Sequence, residues 1–395
     1  MLNSRLFWKA DSLDAQPDYS GPLLRDIPFV LVRLTRASIC ESDRRVQRGA
    51  KESALGSGEI VLGHEGGGYV VDAGPYSAEL PAGSKVVILP HLTCGEPECM
   101  ACRSGRTCLC PRMRHLGFHV NGVFAELMAF PRSCLLKVEA DFPDDALPLV
   151  EPLACVLRAL DRIQDDLARL AFSNPTDQVT LFGAGPMGCL IGKALVRHRP
   201  GIRICQVDPN PIRRCIAAGI LPEVEVVAEL PLSCVGSLAF VVTSAYTAAC
   251  SAEASTQDGG TILLFAGINA EALTAADSAV RRRANFYEEI HRTEKIARAT
   301  DPLMAKTLTL KGSSGFNLEN AQAAVQELRQ FYSHYAPIQN GSIAGLASQD
   351  AQIAGKQYTF PHEVAATALL APKSLDDATY GEPISCLCKV IIRLA

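Results

Sequence analysis

The stretch QVTLFGAGPMGCLIGKALVRHRPGIRICQVDPN, residues 178–210, decides the fold. An apolar run at 178–182 stops at a glycine and reads as a buried strand. Residues 186–198 carry apolar positions at helical spacing, and 202–207 form a second strand. This is a βαβ unit. Each glycine of the turn has a physical reason to be there. Gly183 permits the tight turn, Gly185 lets a pyrophosphate approach the backbone, and Gly188 lets helix and strand pack closely. Phosphates would then meet the amino terminus of the helix that Pro186 and Met187 open. Asp208 stands twenty residues past Gly188 at the end of the next strand. A carboxylate there accepts hydrogen bonds from a ribose 2′-hydroxyl and repels a 2′-phosphate, which favours NAD over NADP. Arg213 and Arg214 lie close enough to moderate that repulsion.

Working outward, the segment 151–170 is apolar-periodic and reads as a helix. Strands at 238–244, 260–267 and 307–312 alternate with helical stretches such as 317–331 and extend a parallel sheet. Residues 269–306, rich in Ala, Arg and Glu, exceed what a connection between strands needs and read as a helical insertion. Upstream, 28–35, 60–72 and 84–90 are apolar runs between glycine-rich breaks, so the first third is mostly β. Beyond residue 335 Pro, Gly and Ser return, and KVIIRL at 389–394 suits a strand that rejoins the first domain. The fold class is α/β: a mostly-β domain from 1–150 and 335–395, and a doubly wound parallel-sheet domain from 151–334.

With 395 residues the chain exceeds the roughly 250–300 at which single cores stop growing, in keeping with two domains. Hydrophobic residues at 48% and charged residues at 20% suit a globular enzyme. A net charge of -4 provides no basic field to draw it to nucleic acid or to an anionic membrane. No stretch approaches the ~20 apolar residues of a membrane span, and the amino-terminal residues lack a signal-peptide pattern, so a cytoplasmic location is expected. Fifteen cysteines in such a compartment serve metals or burial instead of disulfides.

Four of them, Cys94, Cys99, Cys102 and Cys110, fall within seventeen residues of polar, glycine-containing sequence. That supplies four thiolates for a closed tetrahedral zinc site. Cys108 is the one competitor for the place of Cys110. A scattered set, Cys40, His64, Glu65 and Glu151, offers thiolate, imidazole and carboxylate, the donors of an open catalytic zinc. Ser42, two residues past Cys40, is placed to take the proton of an alcohol that zinc has acidified. Two zinc ions per chain are therefore expected.

These segments, in order, resemble the medium-chain dehydrogenase/reductase superfamily, in its zinc-containing polyol and threonine dehydrogenase branch. The resemblance rests on CESD at 40–43, GHE at 63–65, the four-cysteine lobe within 91–111, GVFAEL at 122–127, EPLA at 151–154, the glycine turn with Asp208, FAG at 265–267 and KVI at 389–391. It implies a GroES-like catalytic domain built from both ends of the chain and a Rossmann domain between. It further implies a homodimer or homotetramer, and conversion of a secondary alcohol to a ketone on a small polar substrate such as a polyol, sugar, cyclitol or amino alcohol. A catalytically inactive cofactor-binding or sensor protein on the same fold is the alternative. The resemblance places Cys40, His64 and Glu151 on the catalytic zinc, with Glu65 able to approach it. Ser42 takes the relay position, and His91 that of an active-site histidine. Three departures stand out: Glu41 where the branch carries glycine, a first gap of four residues between Cys94 and Cys99, and the insertion at 269–306.

Overall fold

The computed structural model describes residues 29–47, 61–170, 177–230, 235–268, 278–301, 306–340 and 391–393. The chain divides into two compact units, Met1–Ala154 with Asn317–Ala395, and Cys155–Phe316.

In the first unit β1 (Phe29–Ser38) leads through the short helix α1 (Glu41–Gln47) to β2 (Glu65–Asp72) and β3 (Lys85–Ile88). Next come β4 (His91–Leu92), α2 (Met100–Arg103), β5 (Arg114–His115), β6 (Leu127–Pro131) and β7 (Leu135–Lys137). Val30, Val32 and Leu34 of β1 are fully buried, because a strand turns alternate side chains to one face and that face meets the core. The sheet runs in the order β15-β1-β2-β3-β7, where β15 is Ile391–Arg393, and β6 pairs β1 as well. All its pairs are antiparallel. Leu62, Ile88, Phe124 and Phe130 belong to the core beneath it. Burying each such side chain contributes about 1.5–3 kcal/mol before entropy is counted.

Helix α3 (Val150–Arg162) and α4 (Gln164–Arg169) precede the second sheet. The single helix expected over 151–170 breaks at Ile163, whose φ of -123° leaves the helical region. The second unit continues with β8 (Gln178–Phe182), α5 (Pro186–His198), β9 (Arg203–Val207), α6 (Pro211–Ile220) and β10 (Glu225–Val227). It then runs through β11 (Gly236–Val241), α7 (Tyr246–Ser255), β12 (Thr256–Leu264), α8 (Ser278–Thr293), β13 (Ile296–Asp301) and β14 (Lys306–Gly312). The sheet order is β10-β9-β8-β11-β12-β14-β13. Every pair is parallel except β13 with β14. In β8, Val179, Leu181 and Phe182 are all buried, as expected of a strand within a parallel sheet. Asn210 caps α6 by accepting the backbone N–H of Ile212 and of Arg213 at 2.9 and 3.2 Å.

The insertion at 269–306 is a helix only in part. Its α8 packs Ala284, Tyr287 and Ile290 into the core of this unit, but residues 296–301 form the antiparallel edge strand β13. Residues 269–277 and 302–305 of the insertion lie outside the described residues. The strand expected at 60–72 begins at Glu65, and the helix expected at 317–331 is α9 (Leu318–Tyr335), followed by α10 (Pro337–Asn340). Of KVIIRL, residues 391–393 pair with β1, Arg36 opposite Arg393, while 389, 390 and 394 lie outside the described residues. Among the described residues no helix is long and apolar enough to cross a membrane.

Candidate active site and metal centres

Where β8 stops, Gly183 takes a φ of +119°, a left-handed conformation that favours glycine, and its N–H reaches the Val207 carbonyl at 2.8 Å. A Cβ on Gly188 would lie 2.0 Å from the Gly183 carbonyl oxygen, so the helix can approach the strand only with glycine there. Asp208 is buried, and its two carboxylate oxygens accept the N–H of Ala184 at 2.8 Å and of Asn210 at 2.9 Å. Each oxygen keeps a second lone pair for another donor. The Arg213 guanidinium stands 3.5 Å from the same carboxylate, and Arg214 donates to the backbone carbonyls of Asp208 and Pro209, both at 2.8 Å. The glycine cradle and its acid thus fit a dinucleotide.

In the first unit, Cys40 lies between β1 and α1. Asp43, fully buried on the first turn of α1, accepts the Cys40 N–H at 2.8 Å with one oxygen, the reach-back of a capping acid. Its other oxygen stands 2.9 Å from Nδ1 of His64, which leaves Nε2 as the nitrogen to offer a metal. Burial by itself would lower the His64 pKa, but the neighbouring Asp43 charge and hydrogen bonds with Asp43 and Cys40 hold it well above the usual imidazole value. A metal entering here competes with a proton for that ring. Gly63, with a φ of +91°, must lack a side chain because a Cβ would meet the Phe124 ring at 2.5 Å. Glu65 opens β2 and accepts a hydrogen bond from the buried Ser38 hydroxyl. The Ser42 hydroxyl lies 3.1 Å from the Cys40 sulfur. Cys40, His64 and Glu65 bring one ligand atom each within 4.8 Å of one another. Sulfur, nitrogen and oxygen donors at that spacing suit zinc with a position left open.

Cys94, Cys99, Cys102 and Cys110 make a second group. The sulfur separations are 3.7 Å for Cys94 to Cys102, 3.9 Å for Cys99 to Cys110 and 3.5 Å for Cys110 to Cys94. A zinc tetrahedron with bonds of ~2.3 Å has edges of about 3.8 Å, so the donor set fits. The Cys102 backbone N–H directed at the Cys99 sulfur draws that thiol down to about 7, toward the thiolate a metal requires. Cys108 stays out of the group. It is buried, and its N–H points to the Asn317 side chain at 3.4 Å.

Beside the first group, β4 and β5 pair so that His91 faces His115. Their ring centroids are 5.3 Å apart, and His115 meets His64 at 5.2 Å, both edge to face.

Residues 28–140 match a family model described as the alcohol dehydrogenase GroES-like domain. That match covers β1 through β7 of the first unit and both candidate metal groups. The L-galactonate-5-dehydrogenase of Escherichia coli K12 is 32% identical over 195 residues, which cover 48% of this chain and 53% of that protein. The L-threonine 3-dehydrogenase of Shewanella frigidimarina is 29% identical over 189 residues, 48% of this chain and 52% of that protein. The chain thus spans about half the length of the curated relatives it matches. Among solved structures, the butanediol dehydrogenase of Bacillus subtilis superposes with a TM-score of 0.61 at 19% identity, covering 93% of each chain, a likeness of fold.

The structure brings Cys40, Ser42, His64 and Glu65 together, and separately the four lobe cysteines. It gathers Gly183, Gly185 and Gly188 with Asp208 and Arg213. Glu151, buried on the first turn of α3, lies outside the group formed by Cys40, His64 and Glu65. His91 meets His115, which the sequence reading did not single out. Asp43 and Ser38 were likewise not singled out as site residues. Asp43 had a local signal, an acid three residues past Cys40 at a helix start. His115 had none, since two-residue strands leave no pattern to read.

Proposed function

We propose that the chain is a zinc-dependent oxidoreductase that interconverts a secondary alcohol and a ketone on a small polar substrate, a polyol, sugar, cyclitol or amino alcohol, with NAD preferred to NADP. The observation that carries this reading is the Cys40, His64 and Glu65 group with the Ser42 hydroxyl against its sulfur. Zinc there would acidify the alcohol hydroxyl, and nicotinamide would accept the hydride from the carbinol carbon. Cys40 and His64 are assigned as ligands, Asp43 orients His64, Glu65 is assigned as an acidic ligand, and Glu151, outside their group, is assigned to reach the metal through water. Ser42 accepts the departing hydroxyl proton and passes it toward solvent. His91 is assigned to the substrate. Gly183, Gly185, Pro186, Met187 and Gly188 cradle the pyrophosphate, and Asp208 with Arg213 takes the adenosine ribose. The four-cysteine lobe holds the second zinc, which contributes to folding. A cytoplasmic homodimer or homotetramer is the proposed setting.

The deciding experiment is a panel of polyols, inositols, amino sugars and threonine with NAD or NADP, read by the absorbance of the reduced nicotinamide. At least one secondary alcohol should reduce NAD, faster than NADP. If the zinc-loaded protein reduces neither cofactor with any alcohol, the reading fails.

A further inference from the structure

We infer that Gln206 is a positioning residue for the dinucleotide. It locks the peptide between Gly183 and Ala184 in the orientation a pyrophosphate needs; this rests on the dinucleotide reading above. Gln206 lies on β9, between β8 and β10, and is fully buried. Its neighbours Ile204 and Cys205 are buried and apolar, as a strand within a parallel sheet calls for. A buried amide is costly unless its polar atoms are bonded. Here Nε2 donates to the Gly183 carbonyl oxygen at 3.0 Å, whereas Oε1 has no hydrogen-bond partner among the described residues. A carbonyl oxygen only accepts, so the orientation of the amide is fixed. An apolar side chain would serve the core better, and what Gln206 supplies in its place is a hold on Gly183.

The same peptide is held at its other end. Its N–H, on Ala184, donates to Asp208 at 2.8 Å, and the Gly183 N–H one peptide earlier reaches the Val207 carbonyl. Gln206 and Asp208 both reach this peptide, as side chains two apart on an extended strand do. Three successive residues, 206 to 208, thus hold the turn. The hold matters because Gly183 has a φ of +119°, and glycine populates left-handed and right-handed backbone about equally. Were this peptide to rotate, its carbonyl would turn away from Gln206 and out of the interior. A carbonyl dipole facing a pyrophosphate opposes the anion that backbone N–H groups at a helix start attract. Gly188 makes room for the lock as well as for helix packing, since a Cβ there would stand 2.8 Å from the Gln206 Nε2.

Gln206→Met keeps the length of the side chain and removes the donor, and Gln206→Glu sets a carboxylate against the Gly183 oxygen. Calorimetric titration of ADP, which carries the pyrophosphate and no nicotinamide, into zinc-loaded protein provides a readout independent of turnover. It is paired with thermal melts, and with KM for NAD and kcat on an alcohol that the wild type oxidises. In Gln206→Met the Kd for ADP should rise about tenfold, the scale of one hydrogen bond, and in Gln206→Glu it should rise further. KM for NAD should rise in step, with kcat at saturating NAD unchanged. Tm should hold in Gln206→Met, because the unpartnered Oε1 leaves together with the donor. Unchanged ADP affinity in Gln206→Met overturns the inference, and so does a fall in its Tm, which would make the glutamine a support of the fold. If the wild type binds no ADP, the dinucleotide reading itself fails, and the inference with it. ADP binding without oxidation of any alcohol refutes only the oxidoreductase reading, and the titration and melts then decide on Gln206.

Discussion

Ser42 donates to the Cys40 sulfur at 3.1 Å, a contact between residues two apart in sequence. A proton relay contributes typically ~10²–10⁴-fold in rate, so Ser42→Ala should depress turnover by that order while zinc content, NAD affinity and Tm stay nearly constant. If Ser42 only satisfied a turn, the variant would instead lose stability and keep most of its turnover. Steady-state rates and thermal melts on one preparation separate these outcomes. Local residues such as this one were legible because the chain itself holds them together. The Asp43 contact to His64 joins residues 21 apart, and the facing of His91 and His115 joins residues 24 apart. No periodicity or spacing in the sequence announces either.

At the scale of elements, the cysteine lobe and the insertion behave oppositely. The longer gap between Cys94 and Cys99 still brings all four sulfurs to tetrahedral spacing, with Cys99 standing at the amino end of α2. Cys99→Ala should remove one zinc equivalent and lower the Tm, because structural zinc contributes folding free energy directly, whereas Cys40→Ala should remove one equivalent with the fold intact. Metal analysis beside thermal melts checks this, and equal losses of Tm in the two variants would reject the division of roles. In the insertion, Ala, Arg and Glu favour helix over 278–293, and α8 forms there. Residues 296–301 carry little strand propensity, yet they pair along β14 from Ile296 opposite Lys311 to Asp301 opposite Lys306. The open backbone of an edge strand overrides a weak local preference.

For the whole molecule, both metal-ligand groups fall in the unit Met1–Ala154 with Asn317–Ala395, and the glycine turn falls in Cys155–Phe316. A ligand that binds only the folded form raises the stability of the unit that holds it. Calorimetry should therefore show a zinc chelator lowering one transition and NAD raising another. If both reagents move a single shared transition, the two units do not unfold independently and the expectation fails.

The sequence by itself determined the βαβ unit at 178–207 and the cysteine lobe, and it offered Cys40, His64, Glu65 and Glu151 as candidate donors without separating them. Hydrophobic period, glycine placement and short cysteine spacing act through nearby residues and need no distant partner to be read. The tertiary structure alone decided that Glu65 joins Cys40 and His64 while Glu151 stands outside their group. It also decided that 296–301 becomes a strand and that His115 lies between His64 and His91. Each of these depends on packing and backbone pairing between segments far apart in the chain. Such contacts follow from the closing of a sheet and its core, which no single stretch of the sequence encodes.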